Sequence, residues 1–309
     1  MRLPSMILLI TLLGASAVLS AQTRDDNWNR CKDSDPDLSI GGCTAIIQSG
    51  QETNSNLAKA FHNRGIAYDN KGDYDRAIQD YDQAIRLDPN FAAAFASRGS
   101  AYDDKADYDH ALQDYAVALR LNPNFEDAYV NRGVSYRKMG KYDLAIQDYD
   151  QALKLDPTDA IAFNNRGNSY DDKGDYNRAI QDYDQAIRLN PSYMSAFNNR
   201  CFVRAKAGQL QLALADCNQS LTLRPNNAKS LGNRGLVYLK MNNPDAAIAD
   251  YNAALAISPK KASSLYGRGL AERIKGDQAA AGKDIDAAKA IQSGIAAQFA
   301  KWGVAETTP

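Results

Sequence analysis

Apolar residues recur along most of this chain in two alternating sets, and each set fits one face of an α-helix. In residues 58–91, Phe61 and Tyr68 belong to one set, whereas Ala77 and Tyr81 belong to the other. Spacings of four and seven residues are those of a helical stripe, and the stretch rich in Gly and Asp between the sets is typical of a turn. The pattern therefore predicts pairs of amphipathic helices joined by tight turns.

This helical pair returns with a fixed period of 34 residues. Arg-Gly recurs at 64–65, 98–99, 132–133, 166–167, 234–235 and 268–269, and proline recurs at 89, 123, 157, 191, 225 and 259. Such a period, with recurring small, aromatic and proline positions, resembles the tetratricopeptide repeat family, whose helix–turn–helix units stack into a solenoid. The resemblance implies an all-α fold, a right-handed α-solenoid of 34-residue repeats.

The resemblance also sets the repeat boundaries, with Ala58 as position 1. Projected backwards, the register gives a degenerate N-terminal repeat or cap at 22–57. The polar substitutions of the last repeat suit a solvent-facing end. Residues 296–309 are expected to add a helical turn or two, which places Phe299 and Trp302 on the final repeat, and then a frayed tail. The seven full repeats are 58–91, 92–125, 126–159, 160–193, 194–227, 228–261 and 262–295.

Polar residues are expected to cap both helices of a repeat. Proline cannot continue a helix, and the residue after it, at position 33, can cap the next one. Asp73, Asp107 and Asp175 lie where the second helix needs a cap; the acidic turns lack the EF-hand pattern, so capping is favoured over calcium binding. The residues at position 33 are Asn90, Asn124, Thr158, Ser192 and Asn226.

The first 21 residues differ from the rest of the chain. Arg2 precedes an apolar run from Met6 to Leu19, and small residues with candidate cleavage points after Ala17 or Ala21 follow. A run of this length is typical of a secretory signal peptide at 1–21 and short for a membrane anchor. We therefore expect an exported protein, periplasmic or secreted, with no stable membrane insertion after cleavage.

Four cysteines follow this segment, and an oxidising compartment would preserve disulfides in any of three connectivities. Cys31 and Cys43 fall at positions 8 and 20, where the family keeps small residues because the helices touch. Cys201 and Cys217 fall at positions 8 and 24. The resemblance thus implies the bridges Cys31–Cys43 and Cys201–Cys217. A redox or metal site is the alternative. The chain has no CxxC spacing, however, and it contains only two histidines, so we expect no metal and no cofactor.

A charged column flanks each apolar stripe. Position 7 is arginine and position 23 is aspartate in every full repeat. Because a guanidinium can bind a carboxylate through two parallel hydrogen bonds, the columns predict a ladder of Arg–Asp pairs that holds helix to helix. The alternative is that the arginines bind an acidic ligand. The predicted pairs are Arg64–Asp80, Arg98–Asp114, Arg132–Asp148, Arg166–Asp182, Arg200–Asp216, Arg234–Asp250 and Arg268–Asp284.

The resemblance implies that a ligand would lie in a concave groove lined by first-helix positions 2, 5, 6, 9, 12 and 13. Position 6 is asparagine in five repeats, and an amide side chain can both donate to and accept from a peptide backbone. This column is similar to the asparagine ladder of the O-GlcNAc transferase superhelix, which binds an extended peptide. The alternative is that the amides cap helices or join one helix to the next. The five are Asn63, Asn131, Asn165, Asn199 and Asn233.

Charges at positions 12 and 13 mark the groove edge, and they change sign along the chain. Residues 22–193 contain 29 acidic and 20 basic residues, whereas 194–295 contain 7 acidic and 14 basic residues, within a net charge of -1. This asymmetry can orient a ligand or pair molecules head to tail, unless it is an accidental surface bias. The edge residues are Asp103, Asp104, Arg137, Lys138, Asp171, Asp172, Lys206 and Lys240.

The sequence favours a binding protein over an enzyme. It has no nucleotide-binding glycine loop, no HExxH and no GxSxG, and its basic part lacks the dense Lys/Arg run of a nucleic-acid binder. We therefore predict a noncatalytic protein-interaction scaffold whose groove binds an extended peptide or a partner helix. The alternatives are a self-assembling structural protein and an accessory subunit of a cell-envelope enzyme complex.

Overall fold

A computed structural model describes residues 23–305, and the regular structure within them is entirely helical. The signal segment expected at 1–21 and the tail at 306–309 lie outside the described residues. The helices are α1 (described part 23–31), α2 (Pro36–Ser49), α3 (Asn54–Asn70), α4 (Tyr74–Leu87), α5 (Ala92–Asp104), α6 (Tyr108–Leu121), α7 (Glu126–Lys138), α8 (Tyr142–Leu155), α9 (Ala160–Asp172), α10 (Tyr176–Leu189), α11 (Met194–Lys206), α12 (Leu210–Leu223), α13 (Ala228–Lys240), α14 (Pro244–Ile257), α15 (Ala262–Ile274), α16 (Gln278–Ile291) and α17 (Ile295–Lys301).

The helices form an all-α repeat solenoid that divides into two compact units, one ending at Lys141 and the other beginning at Tyr142. In the second unit, each repeat is a hairpin: α9 packs on α10, α11 on α12, α13 on α14 and α15 on α16. The first helices α9, α11, α13 and α15 also contact one another in sequence. The second helices of these hairpins contact first helices but not each other within the described residues. The first helices therefore form one continuous layer in this unit.

A glycine and a tyrosine bring the two helices of a hairpin together. A Cβ atom added at Gly65 would lie 2.5 Å from the ring of Tyr81, and one at Gly167 would lie 2.8 Å from the ring of Tyr183. Both rings are essentially inaccessible to solvent. Position 8 is thus glycine because the ring at position 24 occupies the space of a side chain, and burying that ring contributes much of the hairpin's stability.

The turn between the two helices needs a left-handed residue at position 15. Gly72 and Gly174 adopt φ of 74° and 82° there, which glycine does without steric cost. Ala106 and Asn242 occupy the same position with φ of 60° and 57°. The next residue is the predicted N-cap: the side chain of Asp73, for example, accepts a hydrogen bond from the backbone of Arg76 at 3.2 Å. Capping by the other two predicted aspartates is confirmed in the same way.

The expected capping by position 33 is wrong. The N-cap of the following helix is one residue later. Phe91 makes no side-chain cap hydrogen bond there, whereas Asp159 and Asn227 cap their helices. The side chain before proline acts instead: Asp88 Oδ1 accepts from the backbone N–H of Asn90 at 3.0 Å. This Asx-type turn closes the loop around the proline and leaves the first helix without that cap. The same contact recurs at Asn122, Asp156 and Asn190.

Both expected disulfides are present. Cys31–Cys43 joins α1 to α2, and Cys201–Cys217 joins α11 to α12, with all four residues fully buried. The second bridge replaces the glycine–tyrosine contact of its repeat. Each closes a loop of 12 or 16 residues, which stabilises the fold by about 3 kcal/mol in the chain-entropy model.

Candidate binding surface on the first helices

The arginine at position 7 is held by two carboxylate oxygens of its own repeat. Arg98 Nε donates to Asp114 Oδ2 at 2.8 Å, and its Nη2 donates to Asp114 Oδ1 at 2.7 Å. The hydrogen bonds with Asp114 raise the pKa of Arg98 above its ordinary value, so the guanidinium is charged at neutral pH. The structure brings together six predicted pairs in this geometry: Arg64–Asp80, Arg98–Asp114, Arg166–Asp182, Arg200–Asp216, Arg234–Asp250 and Arg268–Asp284. Of the seventh pair, Arg132 lies in the first unit and Asp148 in the second.

The third nitrogen of these arginines reaches the preceding repeat. Arg98 Nη1 donates to Asp82 at 2.5 Å, and Arg234 Nη1 donates to Asn218 at 2.9 Å. Position 25 of the preceding repeat supplies these acceptors, which the sequence reasoning missed although it is Asp or Asn in both cases. Each of these arginines therefore joins three helices. Its nitrogens are used within the fold, which favours the structural interpretation over an acidic ligand.

Asparagines at position 6 of the second unit form contacts between neighbouring first helices. Asn199 Nδ2 donates to Asn164 Oδ1 at 3.1 Å and to Asn168 Oδ1 at 3.0 Å. Asn233 Nδ2 donates to Asn198 Oδ1 at 3.0 Å. These are the helix-to-helix bonds that the sequence left open as an alternative. Asn199 and Asn233 stay partly exposed, and an amide oxygen can accept two hydrogen bonds, so lone pairs remain for a further donor.

The other column members lie in different settings. Asn165 Oδ1 accepts from Asn164 Nδ2 at a long 3.4 Å, and Lys229 Nζ donates to Asn199 Oδ1 at 3.0 Å. In the first unit, Asn63 Nδ2 lies 3.9 Å from Cys31 Sγ, and Asn131 is partly exposed on α7. The asparagines at position 6 therefore have different partners in different repeats.

Charges at the groove edge pair across neighbouring repeats. Lys138 Nζ donates to Asp103 Oδ2 at 2.7 Å, and Lys206 bonds to Asp171. Burial, together with the nearby charge of Asp104, raises the pKa of Asp69 to about 6. The groove edge thus contains salt bridges between repeats and also the carboxyl group of Asp69, whose ionised form is disfavoured by burial.

Lys240 lies in the second unit, and it contacts backbone carbonyls. Its Nζ donates to the carbonyl oxygens of Ala205 and of Trp302, both at 2.7 Å. Burial lowers the pKa of Lys240. Lys240 at the groove edge therefore binds two backbone carbonyl groups, and one of them, that of Trp302, belongs to the C-terminal segment.

The C-terminal segment, 295–305, begins as the expected helical extension. Phe299 is buried on the final repeat, with its ring 4.8 Å from that of Tyr266. Trp302 reaches beyond the final repeat, because its ring lies edge-on to Phe202 of α11, 5.0 Å away. Expecting both aromatic residues on the final repeat was therefore right for Phe299 and incomplete for Trp302.

An apolar patch receives this segment. Leu236, Leu239 and Leu270 are buried in one cluster with Phe299, and Val304 packs against the same cluster. Leu236 and Leu270 lie at position 9, as does Phe202, so three consecutive repeats carry a large apolar residue there. That column was visible in the sequence, and it is the signal that sequence reasoning overlooked.

No group of three or more His, Cys, Asp or Glu residues among 23–305 is arranged to hold a metal ion. None of the helices described there combines the length and apolar character needed to cross a membrane.

Two family models, both described as tetratricopeptide repeat, match this chain. One matches residues 58–91, 126–159, 160–193 and 228–261, and the other matches residues 92–125. Together the matches cover more than half of the chain. No curated protein matches the chain significantly.

Several solved structures have a similar fold. A tetratricopeptide repeat protein from Parabacteroides merdae is 20% identical, with a TM-score of 0.65, over 80% of this chain and 99% of that one. PilW, described as a widely conserved type IV pilus biogenesis factor, is 21% identical, with a TM-score of 0.63, over 67% and 96%. A chain of the APC/C hetero-tetramer Cut9–Hcn1 is 22% identical, with a TM-score of 0.63, over 76% of this chain but 49% of its own length. Identities this low establish the fold alone.

Proposed function

Because this chain belongs to the tetratricopeptide repeat family, we propose that it is a noncatalytic scaffold for protein–protein interaction. The scaffold binds an extended peptide or a partner helix along its first helices. The fold suits this role, since consecutive first helices of the second unit lie side by side and present one row of equivalent positions. Among the similar structures, Cut9–Hcn1 is itself a hetero-tetramer, so a chain of this fold assembles with a different chain there.

The asparagine strip of the second unit is the observation that carries the proposal. Asn165, Asn199 and Asn233 lie on successive first helices, and all three residues are partly exposed. Amide side chains match the donor and acceptor of a peptide unit irrespective of its sequence. The contacts among these helices also hold the amides in place, so a bound backbone would meet groups that are already ordered.

Export to the periplasm or the extracellular space is part of the proposal. The apolar run near the N terminus is typical of a signal peptide, and both cysteine pairs are joined in buried disulfides. Disulfides of this kind persist in oxidising compartments. The partner is then a protein or peptide of the same compartment.

Affinity capture from a cell-envelope extract tests the scaffold. The bait is compared with a variant that carries Asn165→Ala and Asn199→Ala. The control variant is Asn218→Ala, which removes an inter-repeat hydrogen bond to Arg234 from α12, away from the first-helix strip. We expect the strip variant to lose proteins that the bait and the control both retain, with all three equally folded by circular dichroism. Identical catches from all three baits would contradict binding at the asparagine strip.

A further inference from the structure

The C-terminal segment 295–305 lies where a ligand of the last three repeats would lie. Trp302 contacts Phe202 at position 9 of α11, and Lys240 at position 13 of α13 donates to the Trp302 carbonyl oxygen. Gly303, Val304 and Ala305 continue beside Leu239, Leu270 and Ile274 of α13 and α15. The segment therefore crosses the first helices of three repeats instead of only covering the end of the last one.

Two kinds of contact in this segment have different roles. Ile295 and Phe299 are buried to 0% and 1% exposure, as expected of a cap that covers the final hairpin. Trp302 and Val304 remain partly exposed, and Ala305 is exposed. The first part is built into the core, whereas the second part lies on a surface that solvent still reaches and can be displaced at lower cost.

The turn that directs the chain onto this surface depends on glycine. Gly303 has φ of 77°, and a Cβ atom there would lie 3.1 Å from Lys240 Nζ. A side chain at this position would strain the backbone, and the end of Lys240 would have to shift slightly to make room for it. The lysine, held by two backbone carbonyls and by no carboxylate that the structure shows, is suited to holding a passing polypeptide backbone.

We propose that Trp302–Ala305 is a built-in, displaceable ligand of the first-helix face of α11, α13 and α15, and that this face accepts a partner segment of the same chemistry. Such a segment carries an aromatic side chain like Trp302, then an apolar residue two positions later, like Val304. Its backbone carbonyl takes the place of the Trp302 carbonyl on Lys240. This inference rests on the proposed scaffold function, and it makes the scaffold self-limiting, because a partner binds only when the segment has moved away.

The competition has a calculable consequence. Apparent affinity falls by the fraction of molecules in which the surface is free, so a segment displaced in about one molecule in ten weakens partner binding about tenfold. Loosening the segment without altering the surface should restore that factor. Trp302→Ala removes the ring contact with Phe202, and Gly303→Ala strains the turn, while neither substitution replaces Phe202, Lys240 or Leu270.

Binding of a fluorescently labelled peptide with the sequence of residues 300–305, AKWGVA, tests the inference. The full-length chain, its Trp302→Ala and Gly303→Ala variants and a control variant, Lys301→Ala at an exposed site of the same segment, are titrated in parallel. We expect the peptide to bind Trp302→Ala about tenfold and Gly303→Ala severalfold more tightly than the parent and the control. A peptide with alanine in place of the tryptophan should bind none of the four chains.

Equal peptide affinity for all four chains, or no binding to any of them, would overturn the inference. If Trp302→Ala fails to fold, as judged by circular dichroism, the Gly303→Ala chain decides, because it retains every apolar contact residue. Neither result depends on the unknown partner. A failed peptide titration alongside partner capture through the asparagine strip would thus reject the built-in ligand and leave the scaffold standing.

Discussion

At the scale of single residues, Arg98 binds two carboxylates whose environments differ sharply. The side chain of Asp114 is 7% exposed, whereas that of Asp82 is 49% exposed. Removing one partner of a buried pair leaves an uncompensated charge, and removing an exposed partner does not. We expect Asp114→Ala to lower the free energy of unfolding by about 3 kcal/mol and Asp82→Ala by less than about 1 kcal/mol. Urea titrations of the two variants measure the difference, and equal losses would show that the buried pair is no more important than the exposed one.

For Asp69 we predict that a substitution raises the free energy of unfolding instead of lowering it. Its pKa is raised to about 6 by burial, and its Oδ1 lacks a hydrogen-bond partner within the described structure. A carboxyl group whose folded pKa lies above its unfolded value destabilises the fold once ionised, and this penalty grows as the pH rises from about 4 to about 6. The side chain is only half buried, so the penalty is about 1 kcal/mol at neutral pH.

Replacing Asp69 by asparagine should remove this penalty. We expect Asp69→Asn to raise the free energy of unfolding by about 1 kcal/mol at pH 7.5 and to leave it nearly unchanged at pH 4. Chemical denaturation at both values, with the exposed Asp109→Asn as control, gives the comparison. A gain that is the same at both pH values would show that the effect is not one of ionisation.

At the scale of helical elements, the hairpin α11–α12 uses a disulfide where its neighbours use glycine and tyrosine. Gly167–Tyr183 and Gly235–Tyr251 make the same crossing through a ring that leaves no room for a Cβ atom. A buried tyrosine and a short-loop disulfide stabilise by similar amounts, about 2 to 3 kcal/mol each. The glycine–tyrosine contact and the disulfide should therefore be interchangeable in this hairpin.

A double substitution tests this exchange. We expect Cys201→Gly with Cys217→Tyr to stay within about 1 kcal/mol of the oxidised parent, and the same two positions changed to alanine to lose about 3 kcal/mol. Adding a reductant should lower the melting temperature of the parent more than that of the Gly/Tyr variant, because the variant retains only the Cys31–Cys43 bridge. If the Gly/Tyr variant is as unstable as the alanine variant, the bridge is needed for some feature of this hairpin other than the missing ring.

The elements were more predictable from the sequence than their detailed contacts. A period of 34 residues repeats the same local signals many times, so chance variation at one site does not obscure the helical pairs. The repeat register also predicted which cysteines pair. The N-cap of α5 was predicted at Asn90, one residue too early, because Asn90 and Asp88 both carry side chains suited to an Asx turn. The position of Trp302 depends on Phe202, a hundred residues earlier, and no local pattern specifies such a contact.

At the scale of the whole molecule, charge is distributed unevenly along the sequence. Residues 22–193 have nine more acidic than basic residues, and 194–295 have seven more basic than acidic residues. If this asymmetry drove head-to-tail association, low salt would strengthen it, because the screening length is about 30 Å at 0.01 M and about 3 Å at 1 M. For the proposed scaffold we expect the same sedimentation coefficient at both salt concentrations. A larger species that appears only at low salt would favour the self-assembling alternative.

The two disulfides also determine how the chain responds to tension. Cys201 and Cys217 are 16 residues apart, so while that bridge is intact a pull on the two ends cannot extend the intervening chain, about 5 nm when fully stretched. The bridge between Cys31 and Cys43 withholds a further length of about 4 nm. An oxidised molecule stretched between two attachment points therefore reaches its limit about 9 nm sooner than a reduced one. In an exported protein, the oxidation state of the compartment would then set the length over which the molecule can yield to force.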